Sequence, residues 1–301
     1  MPTPKEESLL DPVHLNRIHD LSLLARVVVE GAMPGIHRSL RQGRGTEFFQ
    51  YRSYEPGEDL KVVDWKVFAK RDELVAKTFQ EDTNFTVFIV LDASASMGYQ
   101  GARAACSKLR YASMLAACFA YLASRQGDQV GLFGYGEETQ QWIRPGAGSG
   151  HLQRIISGIS ALEAKGTSQH EPAWDQLSSV LPGRSMVVFL SDFLEAEDTL
   201  TERLRFSLSA HYEALCLQVL DSDELDLPEA NALRFTEMEG RREISTSPAA
   251  IRKDYQRNMS GFIDRLKNQM RLITAEFENL QSDQDLGHAL RRFLGVRKRS
   301  K

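Results

Sequence analysis

Phe85-Thr86-Val87-Phe88-Ile89-Val90-Leu91-Asp92-Ala93-Ser94-Ala95-Ser96-Met97-Gly98 is the stretch on which the fold turns. Its first seven residues are apolar or β-branched and carry no charge, which is the pattern of a strand buried on both faces. The run stops at Asp-x-Ser-x-Ser. In an open parallel sheet, ligands bind in the crevice beyond the carboxyl ends of the strands. A carboxylate and two hydroxyls at alternate positions there can converge on one point. They are hard oxygen ligands, suited to magnesium, manganese or calcium.

Outward from that stretch, strands and helices alternate. The 111–122 segment carries Tyr111, Leu115, Cys118, Phe119 and Leu122 at helical spacing. A strand is predicted over 128–135, and the tight Gly136-Glu137-Glu138 turn makes 139–143 an antiparallel edge. Helices follow over 151–162 and from Glu171-Pro172 to about 182. Met186-Val187-Val188-Phe189-Leu190 is a second fully apolar strand and also runs into an acid, Asp192. The remainder reads as a helix over 199–210, a strand over 212–220 ending at Asp221 and a hairpin over 233–238 and 241–245. A long helix over 248–270, a strand over 272–277 and a helix over 286–294 complete it. Such alternation predicts an α/β fold with a doubly wound, mostly parallel sheet.

The segment before the opening stretch has a different character. Asp11-Pro12 starts a helix whose apolar positions Leu15, Ile18, Leu21, Leu24, Val27 and Val28 run on to Gly31. After a basic, glycine-punctuated loop, 48–54 reads as a strand and Glu55-Pro56-Gly57-Glu58 as a turn, with 60–63 pairing back. A short helix over 64–69 and a strand over 73–79 follow. The expected division is 1–83 as a helix-and-hairpin segment packing on the main domain, 84–280 as that domain, and 281–301 as a C-terminal helix with a basic tail.

Composition bounds the function. The chain has 301 residues, 42% hydrophobic and 26% charged, with a formal net charge of -4. That charge offers no global attraction to nucleic acid. No run approaches the ~20 apolar residues of a membrane span, and the start lacks a basic-then-apolar signal peptide, so the expectation is a cytoplasmic protein. Cys106, Cys118 and Cys216 are widely spaced and read as buried free thiols. His151, His170 and His211 read as loop or surface residues. There is no Gly-x-x-x-x-Gly-Lys-Ser/Thr, no Gly-x-Ser-x-Gly and no His-Glu-x-x-His.

Three loops supply the candidate metal ligands: Asp92, Ser94 and Ser96 in the first, Thr167 in the second, and Asp192 in the third. If the sheet order reverses between the two acid-ended strands, both acids face one crevice. These residues resemble the metal-ion-dependent adhesion site of von Willebrand factor A domains. The upstream pattern narrows the resemblance: Gly43-x-Gly45-Thr46-Glu47-Phe48, Arg52-x-Tyr54-x-Pro56-Gly57-Glu58-Asp59 and Asp64-Trp65. Together they resemble the family called domain of unknown function 58, over most of the chain. Members often sit beside MoxR-type AAA+ ATPases. The resemblance implies a von Willebrand factor A-like domain that binds magnesium, with manganese or calcium as alternatives, through Asp92, Ser94, Ser96, Thr167 and Asp192. It also implies a protein partner that offers an Asp or Glu to the metal. Two readings follow: a magnesium-dependent protein-binding module acting with a MoxR-type AAA+ ATPase, or a metal-dependent hydrolase or phosphotransferase built on the same oxygen ligands. Arg52, Tyr54, Asp59, Asp64 and Trp65 read as a cluster fixing the N-terminal segment or as a docking face.

Overall fold

The apolar run over Thr86–Asp92 is a strand buried along its whole length. The computed structural model describes residues 10–32, 47–54, 63–71, 73–80, 85–170, 175, 177, 181, 185–194, 212–230, 232–239 and 243–299. They divide into two units: one comprising the chain up to Ala32 and from Phe85 onward, the other spanning Met33–Asn84.

In the larger unit, α1 (Pro12–Leu15) and α2 (Leu21–Ala32) precede β3 (Thr86–Asp92). Then come α4 (Lys108–Arg125), β4 (Gln129–Tyr135), β5 (Thr139–Gly146), α5 (Ser149–Ser160), β6 (Ser185–Ser191) and β7 (Tyr212–Leu220). After them stand α6 (Ser222–Leu225), β8 (Leu233–Thr236), β9 (Glu243–Thr246), α7 (Pro248–Leu272), β10 (Glu276–Gln281) and α8 (Gly287–Arg299). The smaller unit holds β1 (Glu47–Ser53), α3 (Trp65–Arg71) and β2 (Val75–Gln80).

Six strands form the main sheet in the order β10-β7-β6-β3-β4-β5. All neighbours are parallel except β4 and β5, so β5 is the antiparallel edge the short turn predicted. Numbered within this sheet, the order is that of the doubly wound fold, reversing between β3 and β6. The von Willebrand factor A-like expectation is therefore met. Burial explains the sequence pattern: every residue of β3 and of β6 is buried, because both strands are central and covered on both faces.

Helix α4 starts on the Ser107 hydroxyl, which accepts the Arg110 N–H at 3.2 Å. It packs beneath the sheet between α2 and α5, and Phe119 stacks on Phe293 of α8 with ring centroids 4.6 Å apart. Phe88, Val90, Phe133, Val187, Phe189 and Cys216 fill the core on one side, against Leu266 and Met270 of α7. All three cysteines are free and buried, and burial pushes the Cys106 thiol up to about 11.

Several elements differ from the reading. The N-terminal helix is two pieces, because Asp20 opens a new helix by accepting the Ser22 N–H at 2.8 Å. A break falls at 84/85, one residue from the one expected, but α2 groups with the larger unit, as does α8, and 33–84 forms the other unit. Strand β1 pairs antiparallel with β2; of 60–63 only Val63 is among the described residues, and it bridges to Ala76. The last strand lies four residues later than predicted. Helix α7 continues to Leu272, and Thr274 takes a left-handed φ of 59° before the chain turns into β10. The turn at 55–58 and the helices expected over 171–182 and 199–210 lie outside the described residues, apart from Asp175, Leu177 and Leu181. Of the upstream cluster, Asp64 caps α3 by accepting the Lys66 N–H at 2.9 Å, while Trp65 is exposed and meets Phe68 edge-on. Asp59 lies outside the described residues.

Leu24 is fully buried where Leu23 beside it is 52% exposed. Leu24→Ala should cost about 2–5 kcal/mol of unfolding free energy, whereas Leu23→Ala should stay within about 0.5 kcal/mol. Urea denaturation of the two variants measures the difference.

Candidate metal centre

Strands β3 and β6 lie side by side with Leu91 opposite Leu190, so Asp92 and Asp192 emerge together at the carboxyl edge. Asp92 is fully buried and accepts three donors: the Ser94 N–H at 2.9 Å, the Ser191 hydroxyl at 2.7 Å and the Ser168 hydroxyl at 3.1 Å. Ser94 and Ser96 lie 3.1 Å apart through their hydroxyls, and Ser96 donates to Asp192 Oδ2 at 2.8 Å. Ser94, Ser96 and Asp192 thus form a linked chain of side-chain oxygens, joined to Asp92 through the Ser94 N–H.

Thr167 is held differently. The backbone brings its loop alongside the motif: Ala95 N–H donates to Gly166 O at 2.8 Å, and Lys165 N–H to Ala93 O at 3.0 Å. Close approach requires a glycine opposite, since a Cβ on Gly136 would stand 2.9 Å from Lys165 O and 3.2 Å from Ala93 O. The Thr167 hydroxyl accepts from Gln169 Nε2 at 3.4 Å, and among the described residues no hydrogen bond joins it to the other four. Its neighbour Ser168 reaches Asp92 instead.

The largest addition to the sequence reading is Lys108. Its side chain is buried, and its ammonium donates to Asp192 Oδ2 and to Glu224 Oε1, each at 2.7 Å. Burial disfavours the ammonium, yet the two carboxylates outweigh it and hold Lys108 above the ordinary lysine range. Burial likewise raises Glu224 and Asp92 above ordinary carboxylates. Spacing carried a signal for Lys108: it stands three, four and seven residues before Tyr111, Ala112 and Leu115, on the buried face of α4. The loop leading into α4 is pinned by acids at the end of β7. Gly101 N–H donates to Asp221 Oδ2 and Ala102 N–H to Asp223 Oδ2, each at 2.8 Å, while Arg103 donates to Asp223 Oδ1 at 2.6 Å. A Cβ on Gly101 would fall 2.2 Å from Asp221 Oδ1, so the loop can seat there only with glycine.

Asp192 is aimed by its neighbours. Phe193 has φ 55°, a left-handed conformation that costs a non-glycine residue about 1–2 kcal/mol. It is retained because Phe193 is fully buried, stacks on His170 at 5.8 Å and donates its N–H to Ser191 Oγ at 2.9 Å. Gln218 fixes the Asp192 carbonyl at 2.8 Å. The surface reading of His151 and His170 is corrected, since both are buried. His170 Nδ1 lies 2.7 Å from the Tyr135 hydroxyl and its Nε2 3.1 Å from Ser168 Oγ, while His151 Nε2 lies 2.7 Å from Val130 O. His211 lies outside the described residues. Histidine identity alone does not distinguish these environments.

Among the described residues no group of three or more His, Cys, Asp or Glu side chains could hold a metal by itself. The oxygens present are two carboxylates and paired serine hydroxyls, a donor set that fits a hard divalent cation and not zinc or copper.

Fold and crevice together define an α/β protein of the von Willebrand factor A-like class with a hydroxyl-and-carboxylate site at the strand-order reversal. The chain belongs to the family described as "Protein of unknown function DUF58", whose model matches residues 50–261. It is similar to an uncharacterized protein of Mycobacterium tuberculosis, 28% identical over 294 residues, covering 96% of this chain and 91% of the relative. Among solved structures, the conserved hypothetical protein BatB from Bacteroides thetaiotaomicron matches with a TM-score of 0.49 and 14% identity, over 71% of this chain and 99% of BatB. A von Willebrand factor type A protein from Catenulispora acidiphila matches with a TM-score of 0.37 and 16% identity, over 49% of this chain and 35% of that one. No helix among the described residues is long and apolar enough to cross a membrane.

Two outcomes are expected. Lys108→Met leaves Asp192 and Glu224 buried without their cation and should cost about 3–5 kcal/mol, with Lys108→Met/Glu224→Gln recovering part of it in urea denaturation. Asp92 takes up a proton in the folded state at a pH where the unfolded chain has lost it, because its carboxyl is raised from 3.8. Its contribution to stability is therefore greatest in acid and falls as pH rises through the raised value. In chelator-treated protein, Asp92→Asn should flatten that decline when stability is compared from pH 4 upward.

Proposed function

We propose that the chain is a magnesium-dependent protein-binding module, with manganese or calcium able to replace magnesium, and that its partner is a MoxR-type AAA+ ATPase. The observation that carries this reading is the Ser94–Ser96–Asp192 chain of oxygens beside Asp92, at the carboxyl ends of two central strands. Asp92, Ser94, Ser96 and Asp192 would hold the ion, and Thr167 joins them in this proposal through its position in the adjoining loop. Ser96 donates its O–H to Asp192 and accepts the Ser94 O–H, which leaves one lone pair of its hydroxyl for a cation. Lys108 offsets the charge of Asp192 from the other side. Neutral hydroxyls and a part-neutralised carboxylate leave a bound cation electron-poor, with a preference for one more hard anion.

That preference suits a carboxylate from another protein. One such bond fixes the register of an interface, while surrounding contacts supply most of its affinity. The AAA+ partner rests on the resemblance of the motif set to that family. A cytoplasmic setting belongs to the same proposal.

Calorimetric titration with magnesium and manganese tests the site: native protein should give a saturable heat and Asp92→Ala none. A pull-down with a MoxR-type AAA+ ATPase tests the partner. Association should require magnesium and fall at least tenfold with chelator or in Asp192→Ala, the scale on which losing a group around a metal acts. Association unchanged in chelator would remove the metal from the mechanism. Turnover of phosphate esters that is lost in Asp92→Ala would favour the hydrolytic reading instead.

A further inference from the structure

Ser168, the residue after Thr167, touches the candidate centre directly. Its hydroxyl donates to Asp92 Oδ2 at 3.1 Å, while the Ser94 N–H donates to Oδ1 of the same carboxylate at 2.9 Å. The Thr167 hydroxyl accepts from Gln169 Nε2 at 3.4 Å instead. The backbone on both sides of Thr167 is anchored. Gly166 O accepts the Ala95 N–H at 2.8 Å, and the Ser168 N–H donates to Glu239 Oε2 at 2.9 Å. Those two bonds hold the peptide planes that set the Thr167 Cα–Cβ direction. Only χ1 is left to turn the Thr167 hydroxyl, and a β-branched χ1 is stiff. Ser168 faces Asp92 without any rearrangement.

Two buried rings aim the Ser168 hydroxyl. His170 Nε2 lies 3.1 Å from Ser168 Oγ, and His170 Nδ1 lies 2.7 Å from the Tyr135 hydroxyl. The one hydroxyl proton of Ser168 goes to Asp92, so His170 carries a proton on Nε2 and donates it to Ser168. In the neutral ring Nδ1 then accepts from Tyr135. Phe193 stacks on the imidazole and Tyr135 meets it edge-on, each at 5.8 Å between centroids, so the ring is held in place. We propose that Ser168, more than Thr167, supplies the adjoining loop's hydroxyl to the cation, and that His170, locked by Tyr135, is the positioning residue that turns this hydroxyl. This inference rests on the reading of Asp92, Ser94, Ser96 and Asp192 as cation ligands.

The chemistry suits this arrangement. A hydroxyl that donates once and accepts once keeps one lone pair, which is what a hard cation needs from it. A serine has a free χ1 and a free O–H rotor, and ordering both at the moment of binding would weaken the ion's hold. Here Asp92 fixes the proton and His170 fixes the oxygen before any ion arrives. Groups hydrogen-bonded behind a ligand orient it in this way, and losing one weakens metal binding although it never touches the metal. The Tyr135–His170–Ser168 relay is neutral when the imidazole is neutral, so it orients an oxygen without adding charge beside the cation.

The full-length chain with manganese as the probe tests this. Native protein, Asp92→Ala, Ser168→Ala, Thr167→Val and the double variant Tyr135→Phe/His170→Phe are titrated by calorimetry, with water-proton relaxation reporting the water on bound manganese. Ser168→Ala should bind manganese about tenfold more weakly and carry more coordinated water. Thr167→Val should lose less than Ser168→Ala. The double variant keeps both rings and removes both polar partners, a change that is close to neutral for folding, yet it should weaken manganese binding. In a Ser168→Ala background the same ring pair should have no further effect, since its route to the ion is gone. Native affinity in Ser168→Ala, or an equal loss in Thr167→Val, would overturn the inference while leaving the metal site intact. So would a ring effect that persists undiminished without Ser168. Native protein and Asp92→Ala titrating alike would instead overturn the metal reading on which it rests.

Discussion

A lysine ammonium buried at the end of a sheet has to be paired, and the two carboxylates that pair Lys108 tie the site together. Asp192 belongs to the loop after β6, Glu224 to the short helix after β7, and Lys108 to the start of α4. One charge thus joins three segments that are remote in sequence. Removing one partner from such a group strands the others in a medium that solvates them poorly, so the arrangement is all-or-nothing. It also decides the character of Asp192. A carboxylate already neutralised on one side is a weaker ligand for a cation, and here it also accepts the Ser96 hydroxyl.

The remaining polar groups at this edge are arranged around that fact. Asp92, by contrast, is satisfied by two serine hydroxyls and a backbone N–H, and among the described residues no lysine ion pair reaches it. Asp221 and Asp223 face the other way and hold the Gly101–Arg103 turn. The acids at this edge thus meet three kinds of partner: backbone N–H groups, serine hydroxyls and the side chains of Lys108 and Arg103. Left-handed Phe193 stacks on His170, which pairs with the buried Tyr135, so the loop that carries Asp192 rests on packed rings.

Much of this was legible in the residues themselves. A charge-free run with β-branched residues can be accommodated only between two neighbours and two covering layers, which made β3 and β6 central strands. Their acids at corresponding ends, together with alternating helices, pointed to the strand-order reversal and its crevice. Asp-x-Ser-x-Ser places three side chains on one loop with no tertiary information needed. Local chemistry also placed the cap at Asp11, because a capping side chain acts within three residues of itself.

What the tertiary structure alone decided has a common cause: each feature depends on which distant segment arrives opposite. Lys108 has the composition of a surface residue until the loops after β6 and β7 bring acids to it. Ser168 rather than Thr167 meets Asp92, a choice set by where Gly136 lets the 165–167 backbone rest. Glu239 sits in an ordinary hairpin connection until Ser168 appears beneath it. The division of the N-terminal region turned on whether α2 found its apolar partner in the hairpin or in α4, and an amphipathic stripe states only that some partner exists. Periodicity and spacing determined the strands, the helices and the candidate loop. The pairing of charges across those loops was determined by the fold, because burial and opposition are properties of neighbours in space.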